Sequence, residues 1–259
     1  MQNLNISLIQ THLHWEDPIA NLAHLEEKIW QIDIETDLIV LPEMFSTGFS
    51  MDTKKLAEPM NLHSFKWMQK MAAQKKCVIT GSLIIKENGH NYNRLIWMRP
   101  DGTFAQYDKR HLFTFASESD YYSPGNEKLM TELKGWKILP LICYDLRFPV
   151  WSRNLKSNPY DLLIYVANWP ETRISAWNAL LKARALENAS YSIGLNRIGK
   201  DGQGLNYSGN SAAYDFLGSA LLELNNEDGI FNIELSQDKL IAYRKKFPLL
   251  EDQDQFKIL

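Results

Sequence analysis

WKILPLICYDLRFP, residues 136–149, decides how the rest of the chain is read. Ile138, Leu139, Leu141 and Ile142 form a short apolar run, interrupted by Pro140, that ends on Cys143. A run of this length and composition predicts a buried strand rather than a helix. Ligands of α/β folds bind outside the carboxyl ends of strands, so a thiol at such an exit stands where a nucleophile works. The competing reading is an inert core cysteine, because free Cys is among the most buried residue types.

Outward from that strand, both flanks alternate apolar segments with turns. Upstream, residues 3–10 read as a first strand, and Pro18 with Asp17 as a possible cap opens a helix whose stripe of Ile19, Leu22, Leu25 and Ile29 runs to about residue 32. Leu38–Leu41 is a second strand with Pro42-Glu43 at its exit, and residues 61–74 form a second helix. Residues 77–85, broken at Gly81, and 91–98 flank the turn Asn88-Gly89, which predicts a hairpin and hence a mixed sheet. Residues 103–135 carry little regular pattern, and an aromatic-rich loop of that length is expected to be functional. Downstream come a short helix to about Lys156, a strand over 161–168, the longest helix over 173–188, and strands over 190–197, 207–214, 219–224 and 229–235. With no repeat or linker, 1–259 reads as a single domain, and 236–259 as a tail suited to packing on a partner subunit. The pattern is that of a layered α/β or α+β fold with helices covering sheet faces.

Composition narrows the class. The chain has 259 residues, 45% hydrophobic and 23% charged, as in a water-soluble globular protein. A net charge of −3 without a basic stripe argues against nucleic acid as a partner. No apolar run approaches the ~18 residues of a membrane span, and the amino terminus lacks a positive region before its apolar stretch. Two cysteines, Cys77 and Cys143, do not make a disulfide framework, so a cytoplasmic location is expected. His12 and His14 have no Cys or third His near them in sequence, so no metal site is expected there.

Glu43, Lys109 and Cys143 occupy comparable places: two strand exits and the aromatic loop. A carboxylate can take the thiol proton, a thiolate can attack a carbonyl, and an ammonium plus the Tyr144 N–H can hold the oxyanion. Acyl transfer therefore needs no histidine, although separations this long make no motif by themselves.

Three blocks carry a resemblance: LPEMFSTGF around Glu43, YDKRHLF around Lys109 and LICYDLRFP around Cys143. ANWPETRISAWNALLKARALEN and YSGNSAAYDFLG follow in the same order. Together they resemble the nitrilase, or carbon–nitrogen hydrolase, superfamily over nearly the whole chain, and within it the ω-amidase branch. The resemblance implies a four-layer αββα sandwich, usually paired into a homodimer. It assigns Glu43 as general acid/base, Lys109 as oxyanion donor, Cys143 as nucleophile and Glu118 as the second glutamate holding Lys109, with Glu127 as the alternative one alignment shift away. It further implies amide hydrolysis through a thioester, with no metal or organic cofactor. His111 is expected to be structural.

An ω-amidase acts on 2-oxoglutaramate and 2-oxosuccinamate, the amides left by glutamine or asparagine transamination, which links the branch to methionine salvage. Their distal carboxylate calls for an arginine, and Arg147 and Arg173 are the candidates. Arg147 could equally pair with Asp145, and Arg173 could be a solvated first-turn residue. Phe45 and Trp169, just past strand ends, are the favoured pocket walls, with Tyr121 and Phe148 also possible. Trp177 reads as core, and Arg184 with Glu187 as an ion pair. The rival activities are deaminated glutathione amidase and a general short-chain carboxylic amide hydrolase. The absence of a fused glutamine-dependent domain disfavours the NAD-synthesising branch. A catalytically idle interaction scaffold is the non-enzymatic alternative.

Overall fold

Strands buried on both faces lose the polar–apolar alternation and appear as continuous apolar runs, and this property governs the architecture. The computed structural model describes residues 2–254 and 256–258; Met1, Gln255 and Leu259, part of the ranges read above, lie outside the described residues. One sheet holds β1 (Leu4–Gln10), β2 (Leu38–Val40), β3 (Glu58–Pro59), β4 (Val78–Glu87), β5 (His90–Met98) and β6 (Phe104–Asp108). A second holds β7 (Thr131–Leu133), β8 (Trp136–Ile142), β9 (Leu162–Ala167) and β10 (Tyr191–Asn196). The small pair β11 (Ile198–Lys200) and β12 (Asn206–Ser208) stands apart, β13 (Ala212–Tyr214) and β14 (Ala220–Glu223) extend the second sheet, and β15 (Gly229–Leu235) returns to the first.

Strand orders are β15-β1-β2-β4-β5-β6, with β3 beside β4, and β14-β13-β10-β9-β8-β7. Each sheet has a parallel centre, β1-β2-β4 and β10-β9-β8, extended by antiparallel strands. The expected hairpin joins β4 to β5: Glu87 pairs His90 across Asn88 (φ 51°) and Gly89 (φ 80°). Two successive positive φ values are what a two-residue type I′ turn requires.

The helices are α1 (Pro18–Trp30), α2 (Thr53–Leu56), α3 (His63–Lys75), α4 (Glu118–Tyr121), α5 (Pro149–Ser152), α6 (Ile174–Asn188) and α7 (Gln237–Lys246). Side chains alternate across each strand of the first sheet. Leu4, Ile6, Leu8, Leu38, Val40, Leu95 and Trp97 join Ile138, Leu141, Ile164 and Ile193 of the second sheet in one buried core. Ile9, Ile39, Leu41, Ile79 and Ile96 face the other way, onto Leu25 and Ile29 of α1 and Met68 and Met71 of α3. Trp177, Leu181 and Ala185 of α6 cover the second sheet. The layers therefore run helix, sheet, sheet, helix: the αββα sandwich. Among the described residues no helix is long and apolar enough to cross a membrane.

Some local expectations need correction. Residues 103–135 are not one irregular loop but contain β6, α4 and β7, elements too short for a periodic signal. The strand read over 207–214 splits into β12 and β13 at Gly209 (φ 67°) and Asn210 (φ 57°), where a Cβ on Gly209 would meet the Gln10 amide at 2.5 Å. Gly81 does not break its strand; β4 runs through it. Beyond these corrections, residues 236–259 include α7, where Arg244 bonds Asp161 at 2.8 Å and the Ala189 carbonyl at 2.8 Å. A third histidine, His24 of α1, does lie beside His12 and His14, because α1 folds back along the exit of β1.

Candidate active site

Four strand ends deliver the polar groups of one buried cluster. Glu43 follows β2, Lys109 follows β6, Cys143 follows β8 and Asn168 follows β9, while Glu118 opens α4. Cys143 sits at φ +43°, a strained conformation for a residue with a Cβ. The sharp turn is held by Asp145, whose Oδ2 accepts from the Ile142 N–H at 3.1 Å and the Tyr107 hydroxyl at 2.7 Å. Asp145 Oδ1 accepts from the His111 N–H at 3.1 Å and lies 2.8 Å from His111 Nδ1, and the His111 ring stacks on Phe148 at 3.7 Å. Asp145 therefore pairs with His111 rather than Arg147.

The Lys109 ammonium is fully enclosed, and its donors are all engaged: Glu43 Oε1 at 2.9 Å, Glu118 Oε2 at 2.9 Å and Glu118 Oε1 at 3.1 Å. Burial alone would lower its pKa; Glu118, Glu43 and Cys143 reverse that and hold it above the ordinary lysine value. Glu118 is raised, chiefly by burial and further by Glu43, with Lys109 opposing. Glu127, the alternative, is exposed.

Glu43 has its oxygens divided. Oε1 accepts from Lys109 and from Asn93 Nδ2 at 2.8 Å, and Oε2 accepts the Asn168 N–H at 2.8 Å. Asn168 Nδ2 also donates to the Glu43 carbonyl at 2.6 Å, fixing that backbone from two sides. Oε2 is thus the less committed oxygen. Cys143 Sγ lies 3.9 Å from the Asn168 carbonyl. Burial, then the Glu43 charge, keep its thiol well above the ordinary cysteine pKa, so the resting sulfur is protonated. Thiolate beside two carboxylates and one ammonium would make a closed cluster doubly negative.

Above this floor opens a cavity of about 250 Å³ reached by Lys109, Cys143, Tyr144, Arg147, Trp169 and Arg173. The Arg147 guanidinium lies 5.0 Å from the Trp169 ring centroid, and Arg173 lies 5.1 Å from Phe113 and 5.5 Å from Phe115. Neither has a carboxylate partner among the described residues, which leaves two half-buried cations facing one cavity.

Phe45 does not line it. The ring is fully buried against Trp67, 5.7 Å between centroids, and fits there only because a Cβ on Gly81 would meet it at 2.9 Å. Tyr121 and Phe148 also lie outside the lining, while Phe49, Phe113 and Tyr207 supply aromatic wall. Trp177 is core, and Arg184 bonds Glu187 at 2.8 Å. Asn93 and Asn168 were not legible as site residues. Asn93 Nδ2 bridges Glu43 and, at 3.2 Å, Glu118, but an asparagine among the polar residues that open β5 carries no pattern of its own.

The carbon-nitrogen hydrolase family matches residues 5–245. The chain is 44% identical to "Omega-amidase YafV" of Escherichia coli over 261 residues, all of both chains. It is 31% identical to "2-oxoglutaramate amidase" of Bacillus subtilis, covering 95% of this chain and 96% of that one. The structure of XC1258 from Xanthomonas campestris, a CN-hydrolase superfamily protein with an arsenic adduct in its active site, superposes with TM-score 0.97 at 40% identity and full coverage of both.

Proposed function

The chain belongs to the carbon–nitrogen hydrolase family, and from that premise we propose that it is an ω-amidase, hydrolysing the terminal amide of short 2-oxo dicarboxylate monoamides to the acid and ammonia. The observation that carries this reading is the convergence of Cys143, Glu43 and Lys109 on the floor of a small cavity whose wall holds two guanidiniums without carboxylate partners. The curated relatives named as ω-amidases and 2-oxoglutaramate amidases support it.

In the proposed reaction Glu43 takes the thiol proton as Cys143 Sγ bonds to the amide carbon. The carbonyl oxygen becomes an oxyanion held by the Lys109 ammonium and the Tyr144 N–H. Because Lys109 has three N–H groups and three acceptors, it serves the oxyanion by sharing an N–H that it now donates to Glu118. Glu43 returns the proton to the nitrogen, the C–N bond breaks, and ammonia leaves a thioester. Glu43 then deprotonates a water that attacks the thioester carbon, the acid departs, and the sulfur recovers its proton. Arg147 or Arg173 binds the distal carboxylate, which a planar guanidinium can grip at both oxygens. At 250 Å³ the cavity is smaller than the ~300–1,000 Å³ of drug-sized sites, which favours a short amide.

A homodimer belongs to the same reading. Leu186, Leu217, Ile241 and Phe247 are exposed apolar residues on α6, the β13–β14 turn and the α7 end, and a solution mass of twice the 30.0 kDa chain tests it.

Ammonia release from 2-oxoglutaramate, 2-oxosuccinamate, deaminated glutathione, glutamine and a simple nitrile is the deciding measurement. The two short oxo-amides are expected to give the highest kcat/KM; preference for deaminated glutathione over both would refute the assignment.

A further inference from the structure

Three of the chain's six histidines meet at one surface patch, and none of them lines the cavity. His12 and His14 flank buried Leu13 on the segment leaving β1, and His24 comes from the second turn of α1. Ring centroids lie 4.5 Å apart for His12–His24, 5.0 Å for His12–His14 and 5.9 Å for His14–His24, and one nitrogen from each falls within 4.8 Å of the others.

We propose that His12, His14 and His24 bind a late first-row divalent metal ion, with zinc as the reference case. Three imidazoles are a donor set for tetrahedral zinc with one position left open, and the same donors suit copper and nickel. Zn–N bonds of about 2.0–2.1 Å put tetrahedral ligands about 3.3 Å apart, so the rings must close by rotation from their present spacing. The backbone beneath them is already fixed. Buried Asn21 accepts from the His14 N–H at 2.7 Å and donates to the His14 carbonyl at 2.7 Å and the Ser46 carbonyl at 2.8 Å, pinning α1 to the strand exit. Thr11 Oγ1 lies 2.7 Å from His24 Nε2 and orients that ring, the kind of outer contact that holds metal-bound imidazoles.

A carboxylate is at hand for the fourth position. Asp228 Oδ2 lies 3.7 Å from His12 Nδ1, while its Oδ1 is bound to Lys28 at 2.8 Å. Metal entry would draw Asp228 from Lys28 or leave the fourth position to water.

The experiment uses the full chain carrying Cys143→Ala, so that the buried thiol contributes no ligand. Zn²⁺ is titrated by calorimetry and Co²⁺ by visible absorption. Expected are one ion per chain with a Kd of about 1 µM or below, and Co²⁺ bands of a four-coordinate nitrogen–oxygen site without thiolate charge transfer. His24→Ala or His14→Ala should weaken binding about 10- to 100-fold; His14 is exposed, so its variant tests the site even if the other fails to fold. No saturable binding at about 100 µM Zn²⁺, or equal affinity in the parent and the His14→Ala variant, would overturn the proposal.

Discussion

Cys77 and Cys143 are both buried thiols next to a strand, and burial raises both pKa values, so neither exposure nor acidity tells them apart. Cys77 precedes β4 and packs within the apolar layer under α3, its thiol pushed up to about 12. Cys143 follows β8, at the strands' carboxyl ends, in a strained turn with Glu43 and Lys109 as neighbours. In the proposed mechanism, then, the nucleophile does not stand ionised but protonated, beside a base able to take the proton during attack.

The sharpest way to break the contrast is Cys143→Ala. It should leave a folded protein with no detectable ammonia release, and substantial residual turnover would remove Cys143 from the mechanism. Glu43→Gln keeps the shape but removes the proposed base, and a fall of about 10²–10⁴-fold in kcat is expected from steady-state kinetics. The arginines come next. Replacing the one that grips the substrate by Met should raise KM about 10- to 100-fold, the worth of ~1.5–3 kcal/mol from hydrogen bonds to a charged group; Arg147→Met and Arg173→Met measured side by side identify it.

Because the Cys143 pKa is raised, its thiolate is scarce at neutral pH and grows as pH rises. Iodoacetamide labelling followed by mass spectrometry should therefore accelerate about tenfold per unit above pH 7, without a plateau in the ordinary thiol range. Substrate should protect Cys143 and not Cys77. The smallest effect belongs to Cys77→Ala: unchanged kcat/KM, with stability lowered by about 1 kcal/mol in urea unfolding.

Much of this is legible in the sequence. Glu43 and Cys143 stand at the ends of short apolar runs, and in a doubly covered sheet such runs mark both the strand and the end where ligands collect. Phe45 was misread because position past a strand end does not reveal which face a side chain takes; the empty space over Gly81 decides that, and it belongs to another strand. Asn93 and Asn168 stayed invisible for a related reason. Their roles come from carboxylates 50 and 125 residues away, and nothing local to either announces them. His24 escaped likewise, since a helix folding back on its own strand is a tertiary event.

The enclosure of Glu43, Lys109 and Glu118 has a consequence for how the cycle can run. Altering the summed charge of a group shut away from water is costly. Passing one proton from sulfur to carboxylate to departing nitrogen leaves that sum fixed, and ammonia exits uncharged. In the proposed cycle the pocket floor then acts as a self-contained relay, in which no step has to wait for an ion or a buffer molecule from outside.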